Sequence, residues 1–77
     1  MNTDNITARR VWFDDIRVYV ELNDGRIVGS PLAWFPRLQR TTPEQRDHFE
    51  LVADGYGIHW EELDEDLTAG GFLTFSR

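Results

Sequence analysis

The stretch Ile16-Arg17-Val18-Tyr19-Val20-Glu21-Leu22 decides the fold class of this chain. Its apolar residues Ile16, Val18, Val20 and Leu22 occupy every second position, which is typical of a β-strand with one buried face. Asn23-Asp24-Gly25 follows, and an Asp-Gly pair readily takes the positive φ angles of a tight hairpin turn. We therefore predict that Arg26-Ile27-Val28-Gly29 returns as the neighbouring antiparallel strand.

The segments on either side extend this hairpin. Arg10-Val11-Trp12-Phe13 is predicted as a third strand, so the first thirty residues form an antiparallel meander. Proline has no backbone donor, and we therefore expect the segment from Pro31 to Gln39, which also contains Pro36, to be a loop or an edge segment.

A helix is predicted to begin after Thr42. Thr42 is a suitable N-cap, Pro43 occupies the favoured first helical position, and Gln45 completes a capping box. We expect this helix to continue to a stop at Gly55 and to pack on the sheet through the face formed by Phe49, Val52 and Ala53. The last stretch, from Gly70 to Phe75, fits a short helix and a strand equally well.

Together these patterns predict one small α+β domain over residues 1–77. It consists of a three- or four-stranded antiparallel meander with one main helix packed on one face. An antiparallel meander leaves sheet edges to cover, so a homodimer formed through an edge is a further expectation.

The composition excludes several classes of function. All eight basic residues are arginines, the chain has no cysteine, and the formal net charge is −6. Lysine and cysteine nucleophiles, disulfides and zinc–thiolate sites are therefore excluded. The negative charge argues against autonomous binding to nucleic acid. No glycine-rich loop, membrane-length apolar run or signal peptide is found, so we expect a cytoplasmic protein without a cofactor or membrane association.

Several motifs, in order and spacing, resemble the bacterial family called domain of unknown function 2442. They are Asp24-Gly25-Arg26, Pro31-Leu32, Pro36-Arg37-Leu38, Gly57-Ile58-His59-Trp60 and Leu63-Asp64-Glu65-Asp66. The resemblance covers residues 8–73. It implies a small α+β domain that occurs alone or ahead of a DNA-binding helix-turn-helix domain. Standalone members resemble one half of a two-gene pair with another small protein, as in toxin and antitoxin. The biochemical activity of the family is not established, so the resemblance assigns none to this chain.

The acidic segment from Glu61 to Asp66 suggests three different roles. Carboxylates bind hard cations, but the segment lacks the glycine and the closing glutamate of a calcium loop, so no metal site is predicted. A proton-shuttling His59 oriented by Asp64 or Glu65 would make a minimal enzyme, yet no nucleophile accompanies it, and no catalytic residue is assigned. The same acids can attract a basic partner protein.

A second group combines Trp34 and Phe35 with Arg37, Arg40 and Arg46. Tryptophan and arginine are frequent hot spots of protein interfaces, whereas arginine interleaved with aromatics also contacts nucleic acid. We predict a non-enzymatic module that binds another small protein, as an antitoxin-like or regulatory partner encoded by a neighbouring gene. The alternative is an accessory nucleic-acid-binding or transcription-regulatory module. The predicted binding residues are Trp34, Arg37, Arg40, His59, Trp60, Asp64 and Glu65.

Overall fold

A computed structural model of the chain describes residues 6–74, which form two three-stranded antiparallel sheets linked by short helices. The first sheet contains β1 (Ala8–Phe13), β2 (Arg17–Leu22) and β3 (Ile27–Pro31), in that order. The predicted α+β class and three-stranded meander are thereby confirmed. The buried positions of β2 are Val18, Val20 and Leu22, as its alternation indicates.

The hairpin between β2 and β3 turns at Gly25, whose φ is 93°. The amide of Gly25 donates to the Leu22 carbonyl at 2.9 Å, and the Leu22 amide donates to the Arg26 carbonyl at 2.8 Å. The prediction for Ile16 is wrong, because this side chain is 63% exposed. Ile16 precedes β2 in a turn where its amide donates to the Asp14 carboxylate, so it does not follow the alternation of the strand.

Two short helices replace the loop or edge segment predicted between Pro31 and Gln39. A 3-10 turn spans Leu32–Trp34, and α1 spans Pro36–Gln39 with Pro36 in its first turn. The fixed φ of proline suits the first position of a helix, where its missing donor costs nothing. The prolines therefore start a helical turn here rather than only interrupting a strand.

The long helix predicted from Thr42 to Gly55 is wrong beyond its first turn. The capping box is present, since Thr42 Oγ1 accepts from the Gln45 amide and Gln45 Oε1 accepts from the Thr42 amide, both at 3.2 Å. However, α2 spans only Pro43–Asp47. The next residues form β4 (Phe49–Val52), so no main helix crosses the sheet. A cap specifies the start of a helix, whereas its length depends on packing, and here pairing with a distant strand prevails.

The second sheet has the order β4-β5-β6, with β5 at Gly57–Trp60 and β6 at Glu65–Thr68. It was not predicted from the sequence. The undecided C-terminal stretch is helical as far as α3 (Ala69–Thr74), while Phe75 lies outside the described residues. Among residues 6–74, no helix is long and apolar enough to cross a membrane.

The core lies where the two sheets and the short helices meet. Trp60 of β5 is fully buried, with its ring centroid 6.5 Å from that of Phe13 and 6.2 Å from that of Phe49. Phe35 contacts Phe72 of α3 at a centroid distance of 5.5 Å. These aromatic contacts connect the first sheet, the second sheet and α3 in one hydrophobic cluster.

Candidate functional site

Trp34, Arg37 and Arg40 lie on the two consecutive helical turns between the sheets. Trp34 is 42% exposed, and both arginines are exposed. Arg37 Nη1 donates to the backbone carbonyl of Asp64 at 2.7 Å. This bond connects the arginine group to the acidic turn after β5, so part of each predicted group lies in one place. We call Trp34, Arg37, Arg40 and Asp64 the Trp–Arg surface.

Arg46 has a structural role that its place among the other arginines did not indicate. Its Nη1 donates to the carbonyls of Leu38 at 2.9 Å and Thr41 at 2.8 Å. These bonds tie α2 to the end of α1, because they satisfy carbonyl groups that the end of a short helix leaves unpaired. This guanidinium therefore stabilises the end of α1, the helix that carries Arg37 of the Trp–Arg surface.

Trp60 must be removed from the predicted binding residues. Its side chain has no exposed surface, and its indole Nε1 donates to the carbonyl of Arg46 at 2.9 Å. A side chain in the core cannot contact a partner while the domain stays folded.

Glu65 lies opposite Trp60 in the β5–β6 register, on the other face of the sheet from His59.

His59 lies on the outer face of the second sheet among carboxylates. Its Nδ1 is 2.6 Å from Asp66 Oδ1, and its Nε2 is 3.9 Å from Glu61 Oε1. Glu50 of β4 pairs with His59 from the other side. We call Glu50, His59, Glu61 and Asp66 the histidine face.

The acid that orients His59 is Asp66, and the prediction of Asp64 or Glu65 is wrong. The β5–β6 register places His59 opposite Asp66 and Trp60 opposite Glu65. Side chains of adjacent residues in a strand point to opposite faces, so Glu65 cannot share the face of His59. Asp64 lies in the turn before β6, where its φ is 51°.

Glu50 and Asp66 are the members of this site that the sequence analysis missed. Two sequence patterns could have identified Asp66. Ile58-His59-Trp60 alternates as a strand, and a short turn of Glu61-Glu62-Leu63-Asp64 would return the chain with Asp66 opposite His59. The helix predicted over Phe49–Val52 concealed the third strand and therefore Glu50.

The carboxylates around His59 favour its charged form. The hydrogen bond with Asp66 raises the pKa of His59, with smaller contributions in the same direction from the charges of Asp66, Glu61 and Glu50. The site lacks a nucleophile beside the histidine. Within residues 6–74, no group of three or more histidine and acidic side chains is placed to hold a metal ion. The arrangement therefore favours the protonated form of a cross-strand histidine.

Asp66→Asn is expected to lower the pKa of His59. A raised pKa in the folded state means that protonated His59 stabilises the fold below the ordinary histidine value of about 6.5. This contribution is lost as the pH rises through the folded pKa, and Asp66→Asn should reduce it, because the largest cause of the raised pKa is removed while Glu61 and Glu50 remain. The measurement is an NMR titration of the His59 ring, together with thermal midpoints across the same pH range.

Asp15→Asn is the matched control, because it removes the same charge from an exposed site between β1 and β2. It should leave the titration of His59 unchanged. Equal shifts in both variants would show that net charge, rather than the bond to Asp66, sets the pKa.

Comparison with known proteins supports the family resemblance that the motifs around Arg37 and His59 indicate. Residues 8–77 match the family described as protein of unknown function (DUF2442). The chain belongs to this family. A crystal structure at 2.75 Å of a protein of unknown function from Rhodospirillum rubrum ATCC 11170 is similar to this DUF2442 protein, with a TM-score of 0.76 and 30% sequence identity. The similarity covers 91% of this chain and 87% of the other chain. Among curated proteins, none matches this chain.

Proposed function

We propose that this DUF2442 protein is a non-enzymatic, cytoplasmic interaction module that binds another small protein as an antitoxin-like or regulatory partner. The observation that supports the proposal is the exposed Trp34, three residues before Arg37, whose guanidinium is held on the Asp64 carbonyl at 2.7 Å. Large aromatic side chains and arginines carry much of the binding energy at protein interfaces. A guanidinium held in place loses less side-chain entropy on binding than a mobile one.

The charges near this surface favour a protein partner over nucleic acid. Residues 43–74 contain nine acidic residues and one arginine, Arg46. The guanidinium of that arginine contacts the carbonyls of Leu38 and Thr41. A nucleic-acid surface needs several cations directed at phosphates, whereas the Trp–Arg surface contains two, Arg37 and Arg40. Nucleic-acid binding is therefore the less favoured function, and the capture experiment below tests for it as well.

The test is affinity capture from native-host lysate with three forms of the tagged full chain: the natural sequence, Trp34→Ala and Arg40→Glu. We expect the natural sequence to retain one small protein in stoichiometric amount. Each variant should weaken binding of that protein by about tenfold or more, since a hot-spot truncation costs about 2 kcal/mol. Arg9→Glu is the matched control, because it makes the same charge reversal at an exposed position of β1.

Arg37→Glu is measured separately from the other variants, because it changes the stability of the fold as well as the surface: it also removes the hydrogen bond to the Asp64 carbonyl. A loss of about 1 kcal/mol in the free energy of unfolding is expected from this exposed contact. If the natural sequence retains nucleic acid instead of a protein at low salt, the alternative function replaces the proposal. Equal capture by Trp34→Ala, Arg40→Glu and the natural sequence would disprove the assignment of the surface.

A further inference from the structure

The outer edge of β4 is an unprotected strand edge in the described part of the molecule. β4 pairs with β5 on one side, and no described strand pairs with its other side. Such an edge presents unpaired N–H and C=O groups, which can bond to another extended chain. Glu50, Leu51 and Val52 are all exposed along it.

The edges of the first sheet carry features that discourage pairing with another chain. The β1–β2 register shifts between Ala8 and Arg10, as in a β-bulge, and this segment carries two exposed arginines. β3 ends at Pro31. Bulges, charged residues and prolines are the devices that protect edge strands. β4 has no proline, and its single charged residue is Glu50.

Exposed apolar side chains are concentrated at the same edge. Six large hydrophobic residues are exposed among residues 6–74, and three of them, Leu51, Val52 and Tyr56, belong to β4 and the turn after it. Their exposed fractions are 38%, 40% and 44%. Apolar exposure next to unpaired backbone groups is the combination that recognition by strand addition uses.

The charges indicate which kind of strand this edge accepts. Glu50 lies on the histidine face with Val52, whereas Leu51 lies on the other face, opposite Ile58. An added strand would therefore place one side chain beside Glu50 and the next beside Leu51. Residues 43–74, which contain the whole second sheet, carry nine acids, so a basic strand is favoured and a second copy of the same acidic edge is disfavoured.

We infer that β4 receives an extended segment of the partner protein as a fourth strand of the second sheet, with basic residues facing Glu50 and apolar residues facing Leu51. This inference rests on the proposed function, because it names how the partner binds. It adds a second contact region to the Trp–Arg surface. Backbone pairing supplies affinity, and the alternation of basic and apolar side chains supplies specificity.

The test uses an end-blocked peptide of alternating arginine and valine as the probe, added to the full chain and followed by backbone amide NMR. We expect shifts confined to β4 and its turn, with protection of β4 amides from hydrogen exchange. A peptide of alternating glutamate and valine should bind at least about tenfold more weakly. The arginine–valine peptide with N-methyl groups at every residue should not bind, because it has no amide donors left to pair with the strand edge.

Two pairs of variants separate a specific edge from a general surface effect. Leu51→Lys and Glu50→Lys should each weaken peptide binding by about tenfold, since each adds a positive charge beside a basic strand. Ile27→Lys, at a side chain that is 55% exposed on β3, and Asp15→Lys make the same changes in the first sheet and should bind as the natural sequence does. Equal weakening by a β4 variant and its control would overturn the inference.

The inference and the proposed function fail in different ways. Capture of a partner that depends on Trp34 but is unchanged by Leu51→Lys would overturn strand addition and leave the proposed function intact. Peptide binding at β4 without any captured protein would overturn the proposed function, and with it the claim that the strand comes from that partner, while supporting β4 as an edge that accepts a basic strand. Concentration-dependent protection of β4 amides without peptide would show that a second copy occupies the edge and would also overturn the inference.

Discussion

Gly55→Ala is expected to remove a large part of the stability of this domain. Gly55 has a φ of 91°, and a β-carbon at this position would lie 2.5 Å from the carbonyl oxygen of Ala8. A left-handed alanine costs about 1–2 kcal/mol. The overlap with the backbone of β1 adds a further cost of about 1–3 kcal/mol, as in overpacked sites, because a backbone oxygen cannot move aside as a flexible side chain can.

Gly25→Ala is the matched control. Gly25 has nearly the same φ, 93°, but a β-carbon there would meet no atom within 4 Å. Its thermal midpoint should fall by about 4–8 °C for each kcal/mol of strain, and that of Gly55→Ala should fall at least twice as far. Circular dichroism melts of both variants give the comparison. Equal losses would show that the turn conformation alone, rather than the contact with β1, requires glycine at position 55.

Trp60→Ala is expected to have a comparably large effect through a different mechanism. The side chain is fully buried between Phe13 of the first sheet and Phe49 of the second. Truncating a buried tryptophan lowers the free energy of unfolding by about 3–5 kcal/mol, through lost burial and the cavity left behind. A domain of this size has only about 4–12 kcal/mol in total, so the variant should lose a large share of its stability.

Trp34→Ala is the control for Trp60→Ala, since it makes the same substitution at a side chain that is 42% exposed. Its loss of stability should be about 1 kcal/mol or less. Trp60→Phe separates packing from hydrogen bonding, because it keeps an aromatic ring but leaves the carbonyl of Arg46 without its indole donor at 2.9 Å. Urea unfolding followed by circular dichroism measures all three variants. Similar losses at positions 34 and 60 would contradict the central place of Trp60 in the core.

The conformation of the β4–β5 turn is the reason why a large loss of stability is expected when Gly55 is replaced. Ala53, Asp54 and Gly55 have φ angles of 52°, 58° and 91°, so three successive residues are left-handed. The turn ends with the Tyr56 amide donating to the Ala53 carbonyl at 3.1 Å, and the Tyr56 carbonyl accepts from the Ala69 amide at 2.9 Å. These bonds connect the turn to the start of α3, while Gly55 brings it against β1.

The candidate site was only partly predictable from the sequence, because some of its contacts join residues that are far apart in the chain. Trp34, Arg37 and Arg40 could be identified because tryptophan and arginine suggest an interface by residue type alone. The bond from Arg37 to the Asp64 carbonyl joins residues 27 positions apart, and no local pattern indicates it. The burial of Trp60 and the pairing of His59 with Asp66 likewise depend on where β5 lies.

The amino-acid sequence by itself determined the first sheet and the start of α2. Alternation along β2, the positive φ of Gly25 and the capping box at Thr42 act within a few residues, so the chain records them locally. Only the tertiary structure decided that Phe49–Val52 is a strand and that Asp66 faces His59. A four-residue strand has little intrinsic preference, and its conformation follows from the backbone pairing and apolar contacts that a neighbouring strand supplies.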